Sequence, residues 1–99
     1  MHPALDTTFL TSPKWAGLSK PAQCALQGLL QFAQRRHCDW IVEGTPKQLG
    51  DWIGPESNLS SANIVEGLRE LNNAGCIRRG RTRSGVGTSY VLQAPIIER

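Results

Sequence analysis

Arg78, Arg79, Arg81 and Arg83 fall within six residues of one another, in the run RRGRTRSGVG that also carries Gly80, Gly85 and Gly87. No Asp or Glu occurs from Leu71 to Ile97, so this quarter of the chain concentrates four positive charges against a whole-chain net of +3. Guanidinium forks clustered in this way suit a polyanion, because cations placed on phosphates release condensed counterions and dominate sequence-independent affinity. The glycines remove bulk, which lets such a tip lie along a phosphate backbone or enter a minor groove. The competing reading, a solvated hairpin tip using arginine for solubility, makes poorer sense of so dense a run of like charge. Lys47, at the start of a second helix, can add a phosphate contact together with that helix's N–H groups.

Other groups able to do chemistry are sparse. Cys24, Cys38 and Cys76 are odd in number and widely spaced, without the C-x-x-C pairing of zinc or redox sites, and read as reduced thiols. His37 and Cys38 are adjacent but have no second cluster with which to enclose a metal. There is no P-loop, no G-x-S-x-G elbow and no nucleophile–base–acid set; His2 sits in the terminal arm and His37 has no catalytic partner. The expectation is a protein that is not an enzyme and has no cofactor, metal or small-molecule ligand.

The 99 residues fit one domain with a single modest core. With 39% apolar and 19% charged residues, and no run near the roughly 20 apolar residues of a spanning helix, a soluble protein without a membrane partner is expected. The segment MHPALDTTFL lacks the basic and apolar regions of a secretory signal, which points to the cytoplasm.

The elements that would position the arginines follow from pattern. Residues 1–18 form an arm pinned by Phe9, Leu10 and Trp15. Ser19 as N-cap and Pro21 in the first turn open a helix whose apolar face, Ala22, Ala25, Leu26, Leu29, Leu30 and Ala33, runs to about Gln34. Arg35 and Arg36 then stand at its exposed end, favourable to the helix dipole. The run DWIVEG is a short strand that needs a partner from later in the chain. A second helix starts with the Thr45-x-x-Gln48 capping box and Pro46, buries Leu49, Trp52 and Ile53, and is stopped by Gly54-Pro55. A third starts between Ser57 and Ser60, turns Ile64, Val65, Leu68 and Leu71 inward, and ends at Gly75. The runs CIRR and TSYVLQ alternate as the two strands of a hairpin around the arginine-bearing tip. Ile96 and Ile97, in the tail 94–99, either pack back on the domain or mark an interface.

The segments TPKQLGDWIG and NIVEGLRELNNAGCIRRGRTRSGVGTSYVL resemble the winged helix-turn-helix DNA-binding domains of bacterial, phage and plasmid regulators and replication initiators. The most specific part is the Leu71-x-x-Ala74-Gly75-x-Ile77 passage, followed by arginines and Tyr90-x-Leu92, and the likeness covers about 19–93. It implies an α+β fold of three helices and a small antiparallel sheet with a β-hairpin wing. It further implies a sequence-selective, double-stranded DNA-binding protein, with a small transcriptional regulator favoured over a replication initiator by the chain's length. In such domains the third helix, about 12 Å across, enters the major groove. The residues carried over to base contact are Ser60, Ser61, Asn63, Glu66 and Gly67. Lys47, Arg78, Arg79, Arg81 and Arg83 are carried over to the backbone or the wing.

Asn63 matches an adenine edge and Glu66 a cytosine amino group, while a mid-helix Gly67 signals close approach of a backbone, from DNA or from a neighbouring helix. The resemblance departs in one respect: the connection 55–62 reads as several residues longer than the usual three, which leaves the register of the third helix open by about a turn. A protein partner or a homodimer, through the N-terminal arm or Ile96 and Ile97, is the alternative role.

Overall fold

The computed structural model describes residues 3–83 and 87–98, without the side chains of 81–83. In chain order the elements are β1 (Pro3–Leu5), the single-turn helices α1 (Thr7–Leu10) and α2 (Pro13–Ala16), α3 (Lys20–Phe32), β2 (Gln34–Arg36), β3 (Asp39–Gly44), α4 (Pro46–Ser57), α5 (Ser61–Asn73), β4 (Ile77–Arg83), β5 (Gly87–Leu92) and β6 (Ile96–Glu98). The fold is α+β, with antiparallel sheets of order β2-β3-β5-β4 and β1-β6. Among the described residues no helix is long and apolar enough to cross a membrane.

Helix α3 begins as its sequence predicts, with the Ser19 hydroxyl accepting the Ala22 N–H and with Ala22, Ala25, Leu26, Leu29 and Leu30 buried. It stops at Phe32, not near Gln34, because Ala33 turns extended. Arg35 and Arg36 therefore lie in strand β2 and not at a helix end. A two-residue turn at His37 and Cys38, both with positive φ (50° and 70°), returns β2 onto β3. Both arginines meet carboxylates from other strands: Arg35 pairs with Glu98, and Arg36 with Glu43 at 2.8 Å. The Arg35 guanidinium also lies 5.8 Å from the centre of the Trp40 ring.

In α4 the capping box is formed reciprocally: Gln48 N–H donates to Thr45 Oγ1 (3.1 Å) and Thr45 N–H to Gln48 Oε1 (3.0 Å). Gly54-Pro55 does not stop this helix. Pro55, exposed and in the last turn, forgoes only its bond toward the Asp51 carbonyl, and the chain stays helical to Ser57. Termination falls to Asn58, left-handed at φ 56°, with Leu59 N–H closing on the Gly54 carbonyl at 3.0 Å. The connection to α5 is thus Asn58, Leu59 and Ser60, three residues long, and the extended 55–62 connection expected from sequence does not exist. Ser60 caps α5 by accepting the Asn63 N–H at 3.2 Å, which fixes where this helix starts.

The three long helices cross closely. A Cβ on Gly50 would lie 2.5 Å from Ser61 Oγ, one on Gly54 2.7 Å from the Leu59 carbonyl oxygen, and one on Gly67 2.6 Å from the Pro21 carbonyl oxygen. Gly50 and Gly54 draw α5 in and shift the buried stripe of α4 to Leu49, Gly50, Ile53 and Gly54. Trp52, expected inside, is consequently 44% exposed and lies tilted against the also exposed Phe32, ring centres 5.3 Å apart.

Helices and sheet enclose one core. Leu26, Leu29, Val42, Leu49, Ile64, Leu71, Cys76 and Ile77 are its largest wholly buried members, each large aliphatic side chain contributing about 1.5–3 kcal/mol. The arm and the tail also belong to it. Strand β1 pairs with β6 in the register Ala4↔Ile97 and Leu5↔Ile96, and Leu5, Phe9 and Leu18 are buried while Ile96 packs alongside. Ile97 is half-buried in the same strand pair.

Candidate nucleic-acid interface

Two surfaces carry the candidate residues, helix α5 and the β4–β5 hairpin. In its root, Ile77 pairs with Leu92, Arg78 with Val91 and Arg79 with Tyr90, whereas Thr82 pairs with Thr88. Between Arg79 and Thr82 strand β4 therefore carries one residue more than β5, a bulge at Gly80-Arg81 that bends and twists the hairpin away from the sheet plane. Its other strand starts against α4: a Cβ on Gly87, at φ 89°, would lie 3.1 Å from the Thr45 nitrogen, so Gly87 seats the hairpin on the N-terminus of α4. Lys47 is exposed at that same end. The capping box engages the amides of Thr45 and Gln48 and Pro46 has none, so at this helix end the Lys47 N–H alone is left for an anion.

The arginines with described side chains divide into two groups. Arg35, Arg36 and Arg69 each meet a carboxylate, from Glu98, Glu43 and Glu66 respectively. Arg78 and Arg79 are exposed and have no carboxylate partner among the described residues. The side chains of Arg81 and Arg83 lie outside the described residues; their backbone continues the same strand. The hairpin root thus carries uncompensated positive charge, while the far end of β5, opposite Thr82 and Arg83, abuts the start of α4.

Tyr90, opposite Arg79 in the ladder, is buried, and burial pushes its phenol above the ordinary value of 10 while the Arg79 charge pulls it back. The folded state favours the neutral phenol, so this contribution to stability is complete below pH 10 and is lost as pH rises through the elevated folded value. Cys76, likewise raised by burial, acts in the same direction. Tyr90 is the single tyrosine of the chain, so tyrosinate absorbance reports it alone. The expected midpoint is above 10, and higher still in Arg79→Ala; a midpoint at or below 10 in the folded protein would contradict this placement.

Helix α5 supplies the second surface. Of the five residues expected to face bases, Asn63 and Glu66 are exposed and line a shallow depression with Ser19, Pro21 and Asn73. Ser60 is exposed, but its hydroxyl oxygen caps the helix. Ser61 is half-buried, its Oγ turned against Gly50. Gly67 is buried against the main chain of α3, so the backbone it admits is that of Pro21 and Ala22, and it does not belong to the exposed face.

Glu70, an acid of the same helix, is drawn away from this face. Its carboxylate accepts the Ser19 N–H at 2.7 Å and the Ser19 hydroxyl at 2.8 Å, serving the N-terminus of α3 across 51 residues. The outward stripe that remains is Ala62, Glu66, Arg69 and Asn73, all exposed. Ala62 and Asn73 are not among the residues expected from sequence, which places the contact face at Ser60 to Gly67.

Comparison with family models, with curated proteins and with solved structures finds no match for this chain.

Proposed function

We propose that this protein is a winged helix-turn-helix domain that binds double-stranded DNA with sequence selectivity, as a small transcriptional regulator. In this reading α3, α4 and α5 are the three helices, α4–Asn58–Leu59–Ser60–α5 is the helix-turn-helix, and the β4–β5 hairpin is the wing. The three-residue connection and the capped start of α5 support it. The observation that carries it is the pair Arg78 and Arg79, exposed without a carboxylate partner among the described residues, at the root of a hairpin that continues through Arg81 and Arg83. Helix α5 enters the major groove, and the wing with Lys47 holds flanking phosphates.

Fluorescence anisotropy with generic duplex at low salt tests the reading: micromolar binding that is lost as salt rises supports it, and no binding at all refutes it. For Asn63, the expected cost of Asn63→Ala is about 1–3 kcal/mol on the preferred site and little on random duplex. Equal losses on both duplexes would remove Asn63 from base readout.

A protein-interaction role is the second reading, and the exposed Phe32–Trp52 pair favours it. A domain that ignores duplex at low salt while Trp52→Ala abolishes capture of a protein partner would establish that role instead.

A further inference from the structure

We infer that Arg69, oriented by Glu66, reads guanine, and that the two side chains together recognise one G·C base pair. The inference rests on the duplex-binding reading above and names which residue of α5 selects which base pair. Ala62, Glu66, Arg69 and Asn73 follow one another at steps of four, three and four, on the side of α5 opposite Ile64, Leu68 and Leu71. Arg69 is the one cation of this helix. The side chains of Arg69 and Glu66 are 68% and 65% exposed, and Arg69 Nη1 lies 3.4 Å from Glu66 Oε1.

An exposed i,i+3 pair of this kind adds little to stability, but it biases where the guanidinium points. One nitrogen is turned toward the carboxylate, and the remaining N–H groups of the fork stay available.

The chemistry of the pair suits a base edge better than a phosphate. A carboxylate this close to the guanidinium repels the DNA backbone and offsets the attraction of the single cation. The major-groove edge of G·C instead offers O6 and N7 as two adjacent acceptors for the fork of Arg69, and the cytosine N4 amino group as a donor to Glu66. Neither orientation of A·T presents two acceptors beside a donor in this way. With Glu70 committed to Ser19, no second acid on α5 competes for Arg69. Ala62, one turn before Glu66, keeps the approach free of bulk.

The test begins with selection of a preferred duplex by the wild-type protein from a randomised library. Binding is then measured on that duplex, on versions with each G·C changed to A·T, on one with 7-deazaguanine at the implicated position, and on random duplex. The wild type is expected to lose about 5- to 150-fold at one G·C position, and to lose part of that with 7-deazaguanine, which lacks the N7 acceptor. Arg69→Ala should bind the preferred duplex and the versions changed at that position alike, and keep its random-duplex affinity within about threefold. Glu66→Gln should weaken discrimination at the same position.

Equal losses by Arg69→Ala on preferred and random duplexes would show a phosphate contact and overturn the inference while leaving duplex binding intact. Unchanged discrimination would overturn it as well. Failure of the wild type to bind any duplex at low salt would remove the underlying reading along with it. Arg69 is exposed, so an unchanged melting temperature in Arg69→Ala separates these outcomes from misfolding.

Discussion

Replacing Arg81 and Arg83 together by alanine is expected to weaken binding on every duplex, preferred or random, and to flatten its salt dependence by about two phosphate contacts. The magnitude follows from counterion release. Each neutralised phosphate changes affinity by a factor of about eight between 1 M and 0.1 M salt, so two account for roughly sixtyfold at 0.1 M. Discrimination between sequences should survive, because phosphate contacts position a protein without carrying base information.

The double variant is a fair probe because β4 is tied down elsewhere. Ile77 anchors one end of it in the core, and the Arg78↔Val91 and Arg79↔Tyr90 pairings hold the hairpin root without either replaced residue. The reading is measured as log affinity against log salt for wild type and variant side by side. Parallel lines would show that these two arginines touch no phosphate.

The second large effect is on stability. Gly67→Ala should destabilise the domain by about 1–3 kcal/mol, even though alanine in a helix interior is intrinsically better than glycine by roughly 1 kcal/mol. The added methyl would stand 2.6 Å from the Pro21 carbonyl oxygen, 2.7 Å from its carbon and 2.9 Å from the Ala22 nitrogen. These are main-chain atoms at the start of α3, and they cannot swing aside as a side-chain tip does. Moving them also disturbs the Ser19 cap and the Glu70 bonds to it.

For a domain of this size each kcal/mol corresponds to about 4–8 °C in melting temperature, so thermal or urea unfolding resolves the change easily. A neutral or stabilising Gly67→Ala would mean that α3 and α5 are not packed backbone to backbone. Below its melting temperature the variant should keep the wild-type salt slope, since Gly67 faces the protein and not a ligand.

Much of this architecture was legible because it is local. The apolar periodicity of Ala22 to Leu30 and of Ile64 to Leu71, the Thr45–Gln48 box and the Gly75 ending each depend on residues within a turn or two. All appear where the pattern places them. The errors share a different cause. Strand β2 carries no apolar alternation, and its partners Glu98 and Glu43 lie 63 and 7 residues away from the arginines they bind, so a helix end was the natural local reading of Arg35 and Arg36.

Gly54-Pro55 looks like a stop on local rules, yet Gly54 serves the close passage of the Leu59 carbonyl, and the left-handed residue that ends α4 is Asn58. Trp52 left the core for a related reason, since the small Gly50 and Gly54 faced α5 in its place. Of the candidate site, the exposure of Lys47, Asn63, Glu66, Arg78 and Arg79 was legible in the sequence. What could not be read was which residues tertiary packing withdraws from that face, namely Ser61, Gly67 and Glu70.

The most direct test of the central claim is a titration of wild-type protein against a generic duplex of about 20 base pairs, repeated from 50 to 300 mM salt. With the four wing arginines and Lys47 on phosphates, log affinity should fall linearly with log salt at a slope of about −4 to −5. A slope near zero, or no measurable association at 50 mM, would contradict an anchoring role for the wing.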